Sequence, residues 1–223
     1  MKKFNKSFYK DNQVVKILKP ATNDSIFKIV LKENLDIIKL LIEELNNSSS
    51  QKIDCFDAIK KDNIYLNDQH SGIVIKNEDT TIIIEIDDSK TKYSLNDLNL
   101  LRTQSNKENN EGEKFLQVIL DNNKYSIINE ESTGRIFVVN GYDKIKKTRL
   151  KKARIYLQNI KRFCRNKDVK ELSNMERISL MLVEKNKDNL FKLANGKEEY
   201  IKLANSIIKA NSNPDILNTL SRI

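Results

Sequence analysis

The sequence predicts an α/β protein: a mixed central sheet flanked by helices, followed by a C-terminal helical tail. Three observations predict it. The run Thr80-Thr81-Ile82-Ile83-Ile84-Glu85-Ile86-Asp87 carries isoleucine on both faces of an extended segment, as expected of an interior strand covered on both sides. Leu35, Ile38, Leu41, Ile42 and Leu45 recur at helical spacing. From Leu172 onward the apolar positions again follow a helical period.

The elements follow in order. Residues 1–19 form a basic arm that Pro20 ends, and Thr22-Asn23-Asp24 offers side-chain oxygens to cap a short helix over Ser25 to Lys32. A second helix spans Leu35 to Leu45, and Asn46-Asn47-Ser48-Ser49-Ser50 reads as a linker. Ile64-Tyr65-Leu66 is a short strand. Gly72 to Lys76 and Thr80 to Asp87 form a hairpin around Asn77-Glu78-Asp79. Ser94 and Asp97 open an amphipathic helix over Leu95 to Gln104, and the polar run Ser105 to Glu113 is a loop. Phe115 to Leu120 and Arg135 to Val139 are strands, and Ala153 to Ile160 reads as an edge strand. Ser173 and Glu176 form a capping box, and a last helix covers Tyr200 to Lys209 ahead of Pro214. The organisation is thus an arm over 1–19, an α/β core over 20–165 and a helical region over 166–223.

Composition limits the function. The 223 residues carry a formal charge of +9, with 39% hydrophobic and 32% charged residues, the profile of a soluble protein. No apolar run approaches the roughly 18 residues a membrane span needs, so no membrane partner is expected. The basic start, Met1-Lys2-Lys3-Phe4-Asn5-Lys6, lacks the apolar stretch of a secretory signal, and a cytoplasmic location is expected. The two cysteines, Cys55 and Cys164, are far apart and fit neither a zinc site nor a disulfide framework. His70 is the single histidine, in a polar run next to Asp68, and there is no glycine-rich phosphate loop. Oligomeric state is open, a homo-oligomer included.

Two features carry chemistry. Glu85 and Asp87 lie two apart on one strand and so share a face. They are either a strand emerging into a polar loop or a pair of oxygen ligands suited to Mg²⁺. Between Lys144 and Lys170 the cations Lys147, Arg149, Lys151, Lys152 and Arg154 are followed by more, against the single acid Asp168. That run is either a solvated face or a surface for DNA, whose binding would fall steeply with salt.

The segment Lys19-Pro20-Ala21-Thr22-Asn23-Asp24-Ser25-Ile26-Phe27-Lys28 resembles the opening of the Rpn family, the PD-(D/E)XK nuclease-like transposases. The Leu/Ile-rich second helix, the hairpin Gly72 to Asp87, the strand Phe115 to Asp121 and the late helix from Leu172 are similar to that family's later elements. The likeness covers roughly residues 19–210 and is carried by short patterns. It implies a PD-(D/E)XK core and Mg²⁺-dependent hydrolysis of DNA. Glu85 would be the first metal ligand, Asp87 the second and Asp24 a supporting acid, with Lys28 at a phosphate. Two positions depart from the family. Gly72 stands where the family has a metal-binding aspartate, and Asp87 where it has Gln or, in related nucleases, Lys. A binding or regulatory module without catalysis on the same fold is the alternative: the absence of an aspartate at Gly72 favours it, and the presence of Glu85 with Asp87 favours the enzyme.

Overall fold

One strand organises the sheet. In the computed structural model, which describes residues 18–48, 52–67, 72–87, 114–123, 135–143 and 148–213, β3 (Thr80–Asp87) lies inside the sheet. Its pleat buries Ile82, Ile84 and Ile86 on one face and leaves Ile83, Glu85 and Asp87 half-buried on the other. β2 (Gly72–Lys76) pairs with it antiparallel, Ile73 opposite Ile84 and Ile75 opposite Ile82, so the isoleucines accumulate on the buried face. β1 (Ile64–Asn67) continues the meander outward as an edge strand. The hairpin expected from Gly72 to Asp87 is present with the expected bounds.

On the other side β4 (Lys114–Asp121) runs parallel to β3, adding Leu116, Val118 and Leu120 to the same apolar face. Parallel neighbours need a long crossover rather than a turn. The helix expected over Leu95 to Gln104 falls in that connection, outside the described residues, as does the loop Ser105 to Glu113. β6 (Thr148–Tyr156) pairs parallel to β4, and β5 (Ile136–Asp143) antiparallel to β6. Among the described residues six strands order as β1-β2-β3-β4-β6-β5, a mixed sheet.

Ala153 to Ile160 is not an edge strand: β6 ends at Tyr156 and lies between β4 and β5, and Leu157–Phe163 is a helix, α3. Four lysines and arginines give β6 the composition of an edge, but Lys151 and Arg154 are buried.

The chain forms two compact units. Ile42–Asn159 holds the sheet, and Met1–Leu41 with Ile160–Ile223 holds most of the helices; α2 (Leu35–Asn47) and α3 each contain a boundary. Within the sheet unit, Asn46 belongs to α2 rather than to a linker. Its side chain bonds the backbone of Ile53 in both directions, at 2.9 and 3.1 Å. Lys151, 1% exposed, donates from β6 to the Leu45 carbonyl at 3.2 Å and to Asn46 Oδ1 at 2.8 Å. Burial lowers its pKa.

The helical unit contains α1 (Asp24–Glu33), α4 (Asn174–Val183), α5 (Lys187–Ala194) and α6 (Glu198–Ala210). Asn23 occupies the N-cap of α1 but makes no side-chain cap bond. Ser173 and Glu176 do form the expected capping box on α4, at 3.2 and 3.1 Å. α5 was not foreseen. Asn186 caps it by accepting from Asp188 and Asn189, and Asn195 and Gly196 end it with φ of 49° and 76°. Arg177, 2% exposed, donates to the carbonyls of Leu193 and Val169 and ties α5 to α4. No helix among the described residues is long and apolar enough to cross a membrane.

Candidate functional site

Register brings the acids of two strands together. In the parallel pair β3–β4, Glu85 stands opposite Ile119 and Asp87 opposite Asp121, so all four project to one face. In β4–β6, Gln117 stands opposite Lys152 and Ile119 opposite Arg154. Glu85, Asp87, Gln117, Asp121, Lys152 and Arg154 therefore share the half-polar face of the sheet.

Arg154 is the centre of this group. Its Nη1 donates to Asp121 Oδ2 at 2.7 Å and to Asp87 Oδ2 at 3.3 Å. The side chains of Arg154, Asp121 and Asp87 are 5%, 0% and 14% exposed. Asn123, just past β4, completes the acceptors: its backbone N–H donates to Asp121 Oδ1 at 2.9 Å and its amide to Asp87 Oδ1 at 3.4 Å. Gln117 Nε2 donates to Glu85 Oε2 at 3.5 Å, a long contact. Burial raises the Asp121 carboxyl above its ordinary value; the Asn123 amide and Arg154 oppose that shift, and the charge of Asp87 adds to it. Burial pushes the Lys152 ammonium down to about 8, with Glu85 pulling it back up.

Three carboxylates thus face two cations, and a guanidinium occupies the space between Asp87 and Asp121. Mg²⁺ requires near-octahedral oxygen coordination, usually with one or two carboxylates that keep their lone pairs for the ion. Here an oxygen of each aspartate already accepts from Arg154. No cluster of three or more His, Cys, Asp or Glu suited to a metal occurs among the described residues. Gly72 stands opposite Glu85, and a Cβ built there would overlap the Ile84 carbonyl oxygen and lie 2.8 Å from Glu85 Cα. The neighbouring backbone leaves no room for a side chain at this position. The donor set does not fit the ion.

The other expected site residues are scattered. Asp24 and Lys28 lie in the helical unit and form an i,i+4 ion pair at 3.1 Å. Lys151 and Arg154 are inward and paired, so neither presents its charge to an external polyanion. Arg149 lies on β6, but its side chain, like Lys147, Asp68 and His70, lies outside what is described. The exposed cations come later: Lys161, Arg162, Arg165 and Lys170. Sequence reasoning missed Asp121 and Asn123. The signal was present, since β3 and β4 each end in an aspartate and parallel strands align their ends. Comparison with protein families, characterised proteins and solved structures finds no match.

Proposed function

We propose that this chain is a nucleic-acid-binding module on a PD-(D/E)XK-like core whose acidic centre is closed by an internal ion pair and does not cleave. The topology supports the core: an antiparallel β1-β2-β3 meander, then β4 parallel to β3, with Glu85 and Asp87 at the end of the third strand. Fold alone does not give activity. The observation that carries the reading is how the basic run divides. Arg154 turns inward to Asp87 and Asp121, whereas Lys161, Arg162, Arg165 and Lys170 are exposed. Exposed cations at this density, on a chain of charge +9, are the electrostatic footprint of a polyanion site.

The test is duplex DNA binding against salt. The parent should lose affinity steeply as salt rises. The Lys161→Glu/Arg162→Glu/Arg165→Glu variant, altered only at exposed positions, should bind weakly to every sequence, with a log–log salt slope shallower by about 2.7 if each cation meets one phosphate. A folded variant that binds as the parent does would remove the exposed run from the site.

The competing reading is metal-dependent hydrolysis at Glu85 and Asp87. One observation favours it. A half-buried lysine held to about 8 beside an acid is a pattern that catalytic sites share. Chelator-sensitive cleavage that Glu85→Gln abolishes would establish that reading instead.

A further inference from the structure

An aromatic ring lies within the exposed basic run. Phe163, the last residue of α3, is 47% exposed. Lys161, Arg162 and Arg165 are within two residues of it, all exposed. The ring is held in place: Lys167 Nζ sits 4.5 Å from its centroid, and Lys167 is fixed by Glu176 at 2.8 and 2.9 Å. Glu176 is itself 4% exposed and locked into the capping box of α4. A cation is therefore anchored over the ring of a residue that keeps about half its surface exposed.

An ordered aromatic surface among cations suits one class of polyanion. Single-stranded nucleic acid is bound by charges that track its backbone and by rings on which unpaired bases stack. A duplex keeps its base faces stacked internally and would meet the cations only. An acidic peptide would also meet the cations but has no base to place on the ring.

We infer that Phe163 is a stacking platform for an unpaired base, which makes single-stranded nucleic acid the preferred ligand of this surface. The inference rests on the nucleic-acid reading above and adds a ligand class to it. Stacking on an aromatic side chain corresponds to a loss of about 5- to 150-fold when the ring is removed.

The chain has no tryptophan, so Phe163→Trp introduces a single indole reporter. Oligothymidylate should quench its emission saturably, and a duplex of equal phosphate number should not. Phe163→Ala should weaken oligothymidylate binding within the stated range and leave duplex binding unchanged. If both ligands bind with steep salt dependence, the indole emission stays constant and Phe163→Ala has no effect, the stacking inference fails while the basic surface stands. If neither ligand binds, both readings fail. Equal quenching by polyglutamate would overturn the inference in favour of an acidic protein partner.

Discussion

Replacing Arg154 with methionine keeps the volume of the side chain and removes its charge. Arg154 is 4% exposed and its closest partner, Asp121, is fully buried. Losing one member of such a pair leaves a buried carboxylate without its counter-ion, which costs about 3–5 kcal/mol. In a chain of this size that corresponds to a fall in Tm of about 6–20 °C. The loss should depend on pH in a defined direction. Burial holds Asp121 above its ordinary value, so between the unfolded and folded pKa values the native chain binds more protons than the unfolded one. Stability from this group therefore falls as pH rises through that interval and remains lower above it. Without Arg154, which opposes the shift, the interval widens upward. Arg154→Met should lie closest to the parent where the carboxyl is protonated in both states, and fall further below it as pH rises through the interval. Urea unfolding followed by far-UV circular dichroism at several pH values measures this. Adding Asp121→Asn should recover about 2 kcal/mol of the loss by coupling. A penalty below about 1 kcal/mol, flat with pH and additive with Asp121→Asn, would refute the claim that Arg154 neutralises the acidic centre.

Three further outcomes follow from the same geometry. Gly72→Asp should not create a metal site, because its Cβ meets the β3 backbone at Ile84 and Glu85; thermal melting should show a loss of more than about 3 kcal/mol or no soluble protein, beyond ordinary overpacking. Lys151→Met takes the lysine donor from the Leu45 carbonyl and from Asn46 Oδ1, which still accepts from the Ile53 N–H, a loss of about 1–3 kcal/mol in urea unfolding. Lys152 has a folded pKa of about 8 against an ordinary value of 10.5, so the unfolded chain binds more protons between the two and parent stability gains a rising contribution across that window; Lys152→Gln should flatten the pH–stability profile between about pH 8 and 10.

How far the sequence could be read depended on where each element's signal lay. β2 and β3 were legible because consecutive isoleucines bounded by Asn77-Glu78-Asp79 leave few other arrangements. The α4 start was legible because a capping box is a local chemical pattern, and Ser173 with Glu176 satisfies it. β6 was misread because its cations imitate a solvated edge, while what buries Lys151 and Arg154 is acceptors 105 and 33 residues away in sequence. α5 was missed, although Asn186 and the Asn195-Gly196 pair mark both of its ends. At the site, the strand period placed Glu85 and Asp87 on one face. Their counter-ion could not be read that way, because only the β3–β4–β6 register aligns Asp87, Asp121 and Arg154. At Gly72, where the resemblance would place an aspartate, the Ile84 carbonyl leaves no room for a Cβ, and that approach appears only once β2 and β3 are paired.

One gel tests the central claim most directly. Supercoiled plasmid is incubated with the parent protein and with Glu85→Gln, in Mg²⁺, in Mn²⁺ and in chelator, and is resolved before and after protein is stripped from it. The plasmid should be retarded at low salt and, once stripped, uncut in every lane. Nicked or linear plasmid that appears with metal, disappears with chelator and is absent with Glu85→Gln would contradict it.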